Sequence, residues 1–117
     1  MRDLAVAYGH ISAVKGVDLD VVAGQITALV GANGAGKSTT LLAISGLVKA
    51  SRGEIRFEGE DVMRLAPHRI VERGVVQVAE GRAILTTLTV QENLDLGSYA
   101  RREKAGIQRD LDRALAL

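Results

Sequence analysis

The sequence predicts an α/β fold, and three observations predict it. Residues 26–30, ITALV, form a short, mostly apolar run rich in β-branched side chains and bounded by glycine, which suits a buried strand. Residues 31–40, GANGAGKSTT, follow at once and bring three glycines, a lysine and three hydroxyl residues. From Lys37 to about Leu47 the spacing of Leu41, Leu42, Ser45 and Val48 is helical.

The remaining elements follow in order. Residues 4–8, LAVAY, and 17–21, VDLDV, read as half-buried strands, the second with Val17, Leu19 and Val21 on one face and Asp18 and Asp20 on the other. After the first helix, residues 49–62 give a loop, a strand with Ile55 and Phe57 on one face, and a Glu58-Gly59 turn. APHRIVERG, residues 66–74, is a short helix by its punctuation, with Pro67 suited to the first helical position and Gly74 just past the end. VVQV, residues 75–78, reads as a further buried strand. From Thr89 onward the pattern turns helical, opened by the Thr-x-x-Glu of a capping box. A last helix carries Ile107, Leu111, Ala114 and Leu115 on one face and reaches Leu117 without a stop signal, so the chain is expected to continue beyond it.

Composition narrows the function classes. With 117 residues the chain is at most one small domain or part of a larger one. Hydrophobic residues at 47% against 25% charged residues give an ordinary globular balance, and the scarcity of aromatics leaves Val, Leu, Ile and Ala to fill the core. A net charge of +1 argues against nucleic acid as a bulk electrostatic partner, so anion binding has to be local. The absence of cysteine excludes disulfides and thiolate metal sites. No apolar run approaches the roughly 18 residues that a membrane span needs. The expected location is cytoplasmic.

Local anion binding is what residues 31–38 offer. Gly31-x-x-x-x-Gly36-Lys37-Ser38 fits the G-x-x-x-x-G-K-[ST] pattern, between an expected strand and an expected helix. Glycines let backbone N–H groups curl around a phosphate where a Cβ would collide, and the helix that follows adds its positive end. Within the loop, Gly31, Asn33, Gly34, Ala35, Gly36, Lys37, Ser38 and Thr39 are the expected nucleotide-binding residues. The Lys37 charge lies near the terminal phosphates, worth about 4 kcal/mol at 4 Å and an effective dielectric near 20 before desolvation. Ser38 supplies a hydroxyl for Mg²⁺ and Thr39 reaches another phosphate oxygen. The loop is thus expected to bind ATP with Mg²⁺. Neither a D-x-x-G element nor an N-K-x-D base-reading motif accompanies it, which argues against a GTPase. His10 and His68 read as solvated histidines and Glu80 as a surface carboxylate.

Taken together, GANGAGKSTTLLAISGL, SRGEIRFEGEDV, APHRIVERG and VVQVAEGRAILTTLTVQENL closely resemble the ATP-binding subunits of ABC transporters, in particular the shorter ATPase subunit of bacterial branched-chain amino-acid importers. The resemblance runs over the whole chain. It implies a P-loop NTPase core with an antiparallel β subdomain over residues 1–80 and the start of a helical subdomain over 81–117. By the same resemblance Gln77 is the glutamine that senses Mg²⁺ and the attacking water, sharing the catalytic role with Lys37, and Tyr8 stacks on adenine. Residues 83–88 fall near the surface that receives the permease. Ala79 stands where that subfamily has proline, and AILTT replaces a segment that usually carries Phe and Pro.

The resemblance also implies partners: transmembrane permease subunits, a second ATP-binding subunit packed head to tail, and indirectly a solute-binding protein, at the inner face of the membrane. The expected activity is ATP hydrolysis coupled to uptake of a small solute, branched-chain amino acids first, with urea or another amide as the alternative. The family's signature sequence, Walker B aspartate with its catalytic glutamate, and switch histidine do not occur. The expectation for these residues alone is therefore nucleotide binding with slow or no hydrolysis. The competing readings are a small kinase, which would need an acceptor site and a lid, and a truncated module that binds no nucleotide.

Overall fold

The computed structural model describes residues 1–117, the side chain of Arg82 excepted. It contains β1 (Arg2–Tyr8), β2 (Ile11–Val17), α1 (Lys37–Ile44), β3 (Arg52–Glu54), β4 (Arg56–Phe57), β5 (Glu60–Asp61), α2 (Pro67–Glu72), a 3-10 turn (Glu80–Arg82), α3 (Val90–Gly97) and α4 (Lys104–Leu115). Two compact units result, Met1–Gln77 and Val78–Leu117.

The first unit is built on a three-stranded antiparallel sheet of order β2-β1-β3, with β4 and β5 as a separate hairpin. Along β1 the side chains alternate, so Leu4 and Val6 are fully buried. Val14 from β2, Ala43 from α1, Ile55, Val62 and Ile70 from α2 close over them. The β4–β5 hairpin turns through Glu58 and Gly59 with φ of 50° and 83°, the left-handed pair that a two-residue hairpin turn demands. Gly46, at φ 74°, ends α1: the Leu47 N–H donates back to the Leu42 carbonyl at 2.9 Å. An added Cβ there would lie 2.8 Å from Ile70 Cδ1.

In the second unit the capping box of α3 is complete. The Thr89 hydroxyl accepts from Glu92 N at 3.2 Å, and Glu92 Oε2 accepts from Thr89 N at 2.7 Å. Asn93 stitches the preceding turn to α3, accepting from Leu85 N at 3.0 Å and donating to the Leu85 carbonyl at 3.1 Å. Before α4, Arg101 pairs with Glu103 at 2.6 Å and Asp110 at 2.7 Å.

Three expected strands do not form. Residues 26–30 and 75–78 have no ladder partner among the described residues, and Ile26 and Val30 stand 101% and 86% exposed, Val76 and Val78 71% and 92%. Apolar β-branched sequence favours extended backbone, but a strand exists only where another chain segment takes up its N–H and C=O groups. The VDLDV reading fails for a different reason. Asp3, at φ 46°, breaks the β1 ladder, and the Asp18 carboxylate takes the Asp3 N–H at 2.6 Å in place of a backbone carbonyl. Strand β2 accordingly stops at Val17, after starting at Ile11, where no strand is expected. The pairings that do form are all antiparallel, so the α/β character rests on antiparallel strands and helices.

Candidate functional site

The loop of residues 31–36 opens onto the N-terminus of α1. Gly36 is its N-cap residue at φ 92°, and Gly34 sits at φ 83°. The two glycines serve different ends. Around Gly34 nothing lies within 4 Å of where a Cβ would be, so its requirement is conformational and it leaves open space at the loop tip. At Gly36 a Cβ would fall 2.5 Å from the Ala13 carbonyl oxygen and 3.1 Å from Val14 Cγ2. Gly36 is therefore fixed by the close approach of β2 as well as by its backbone angle.

Lys37 closes the loop. Its Nζ donates to the Gly31 carbonyl at 2.5 Å and to the Ala32 carbonyl at 2.8 Å, while Ala35 N donates to the Ala32 carbonyl at 3.1 Å. The ammonium thus sits among the loop's own carbonyls. Buried Thr40 anchors the first turn, its hydroxyl and its N–H both meeting the Gly36 carbonyl at 2.8 Å. No acidic residue stands in the first turn of α1, so the positive end of the helix is not neutralised from within. Asn33, Gly34 and Ala35 are exposed at the tip, and Ser38 and Thr39 belong to the first turn of α1.

These features fit a nucleotide phosphate and its Mg²⁺. A glycine tip with room beside it, an uncompensated helix N-terminus, one ammonium and a hydroxyl at the second helical position are the groups that phosphate and a hard cation require. Among the described residues no group of three or more His, Asp or Glu could hold a metal. A cation here would draw its ligands from Ser38, phosphate oxygens and water, as Mg²⁺ commonly does.

Tyr8 and Gln77 are placed differently. Tyr8 ends β1 opposite Ile11, half exposed at 48%. Ile11 is two residues from Ala13, about 7 Å along the strand. Ala13 meets Gly36, so β2, the strand paired with the one that Tyr8 ends, passes beside the α1 N-terminus. Gln77 lies at the opposite end of α1, where the Ser45 hydroxyl donates to Gln77 Oε1. Ser45 is the C-cap residue of α1, and seven residues of helix, about 10 Å, separate it from Ser38. The structure therefore does not bring Gln77 to Ser38. Ser45 was missed as a site residue by the sequence, where it reads only as one more position of a helical repeat.

Among the described residues no helix is long and apolar enough to cross a membrane. The model of the ABC transporter family matches residues 14–116. Over 110 residues the chain is 41% identical to the high-affinity branched-chain amino acid transport ATP-binding protein BraG of Pseudomonas aeruginosa, covering 94% of this chain and 47% of that protein. It is 38% identical to the fructose import ATP-binding protein FrcA of Rhizobium meliloti, over 97% of this chain and 44% of the relative. The sn-glycerol-3-phosphate import ATP-binding protein UgpC 2 of Rhizobium johnstonii is 39% identical over 97% of this chain and 31% of its own length. The chain thus spans less than half the length of these relatives. With its glycine-rich loop set on the N-terminus of α1, the chain belongs to the ABC transporter family.

Proposed function

We propose that the chain is the phosphate-binding part of an ATP-hydrolysing ABC importer subunit, binding Mg²⁺ and ATP at residues 31–39. The observation that carries this is the Lys37 ammonium held inside a glycine loop on an uncompensated helix N-terminus. Lys37 neutralises terminal phosphate charge, the backbone N–H groups of Gly34, Gly36, Lys37 and Ser38 donate to the phosphate oxygens, and Ser38 ligates the cation. Tyr8 offers a ring to the adenine, and Gln77, moved from its place on Ser45, reaches Mg²⁺ and the attacking water.

In the whole subunit, uptake of a small solute follows from pairing with a second ATP-binding subunit and with permease subunits at the inner face of the membrane. Branched-chain amino acids are the solute class proposed; the BraG similarity at 41% supports it, while the fructose and glycerol-phosphate relatives are nearly as similar along this stretch, at 38% and 39%. Residues 1–80 serve as the nucleotide core with its β subdomain and residues 81–117 as the start of the helical subdomain. Alone, these 117 residues bind ATP and hydrolyse it slowly or not at all, because no Walker B carboxylate or signature sequence occurs in them.

The test is a fluorescent-ATP titration with Mg²⁺ on the chain and on Lys37→Ala. Saturable binding that weakens at least about tenfold in the variant is expected, from the loss of a charge-assisted contact. Equal binding by both proteins refutes the assignment. A second reading, an interaction module that binds no nucleotide, draws on exposed Ile26, Val30, Val76 and Val78. It predicts that neither protein binds.

A further inference from the structure

We infer that Ser45 is a positioning residue that locks Gln77 away from the phosphate loop, so that metal-loaded nucleotide has to win Gln77 from it. The inference rests on the nucleotide reading of residues 31–39. Four observations carry it. The Ser45 hydroxyl donates to Gln77 Oε1, and Gln77 is half-buried there. Ser45 caps the C-terminus of the helix whose N-terminus holds the loop. About 10 Å of helix separates that cap from Ser38, well beyond the length of a glutamine side chain, so Gln77 cannot serve both places at once. And Gln77 closes the first unit, with Val78 opening the second.

The contact is competitive in its chemistry. Ser45 Oγ lies 2.9 Å from the Leu41 carbonyl as well as against Gln77. A hydroxyl has one proton, which serves one acceptor at a time. When Gln77 leaves, the proton turns to the Leu41 carbonyl and no donor is orphaned. Breaking the Ser45 contact itself therefore costs the net worth of one hydrogen bond, and that is the part of the lock that Ser45 contributes. The surroundings hold the parked position in place. Val75 N donates to the Ile70 carbonyl at 3.3 Å, and Ile70 packs under Gly46, the residue after Ser45.

The test compares the wild-type chain with Ser45→Ala, Ser45→Thr, Gln77→Ala and the Ser45→Ala/Gln77→Ala double variant, titrating Mg²⁺ at fixed fluorescent ATP and ATP without Mg²⁺. Ser45→Ala is expected to lower the Mg²⁺ half-saturation about two- to tenfold, leaving Mg²⁺-free ATP affinity unchanged. Ser45→Thr, which keeps the hydroxyl, restores the wild-type value, and the gain vanishes in the Gln77→Ala background. The Gln77 side-chain amide NMR signals of the nucleotide-free chain shift in Ser45→Ala and not in Ser45→Thr. Should Ser45→Ala fail to fold, Ser45→Cys keeps the size of the side chain while donating only weakly and is expected to move the Mg²⁺ curve the same way. An unchanged or raised half-saturation, or an equal effect with Gln77 removed, overturns the lock while leaving the ATP site standing. Wild-type chain that binds no Mg²⁺–ATP, or binds it as Lys37→Ala does, overturns the site and the lock together, since Gln77 then has no second position.

Discussion

The two units hold themselves together by different means. In Met1–Gln77 six fully or nearly fully buried apolar side chains besides Ala43 interlock, among them Leu4, Val6 and Ile70 at 0 to 1% exposure. In Val78–Leu117 no large apolar side chain is buried among the described residues, while Val78, Val90 and Tyr99 stand 75% exposed or more. That unit relies on the α3 capping box, the Asn93 bonds and the Arg101 ion pairs. Burial stabilises through area removed from water, whereas caps and exposed ion pairs each contribute little. The unit carrying the glycine-rich loop is therefore the one with a packed base, as a pre-organised site requires.

The comparison is most sharply tested in the core. Leu4→Ala should cost about 2–5 kcal/mol, seen as a large drop in the denaturant midpoint. Leu111→Ala, at a half-buried position of the largely exposed α4, should cost well under that; equal losses would break the comparison. Gly36→Ala should come next, at about 1–3 kcal/mol for the left-handed backbone alone, with the Ala13 contact added and ATP binding lost in the same titration. Gly34→Ala meets no neighbour, so its stability loss should be the smaller of the two, with binding still impaired.

In the second unit, Thr89→Ala should remove about 1 kcal/mol of helix stability, read as lost helical circular dichroism and faster amide exchange over residues 90–93. The smallest effect is a pH dependence. The Glu92 carboxyl is held below its ordinary value by the Thr89 N–H and then the Thr89 hydroxyl, and Asp110 below its own by Arg101. A depressed carboxylate pKa adds stability above the unfolded-state value and loses it as the pH falls through the folded-state value. Exchange over α3 and α4 should therefore quicken below the ordinary carboxylate range, near pH 4. In Thr89→Ala the hydroxyl's share of the α3 dependence should be lost, while the share from the backbone N–H of residue 89 stays.

Much of this molecule is legible in its sequence because local chemistry decides it. Pro67 and Gly74 bracket α2, whose residues run from Pro67 to Glu72 with Gly74 at φ 99°. Thr89 and Glu92 cap α3, Glu58-Gly59 turns β4 into β5, and Gly36-Lys37 opens α1. Each depends on one residue's allowed angles or on a side chain reaching its own backbone a few positions away. The glycines of residues 31–36 set the loop that opens α1 on the same footing.

Tertiary structure alone decided the rest. Whether residues 26–30 and 75–78 are strands depends on what pairs with them, and a pattern of apolar residues cannot state its partner. That Asp18 intercepts the Asp3 N–H and ends β2 at Val17, that Gly36 is pressed against Ala13, and that Gln77 rests on Ser45 are contacts between residues 15, 23 and 32 positions apart. Dihedral preferences and periodicity act over a turn of helix or a pair of strand residues. Meetings at longer separation are set by how the sheet and α1 pack, and only the folded chain determines them.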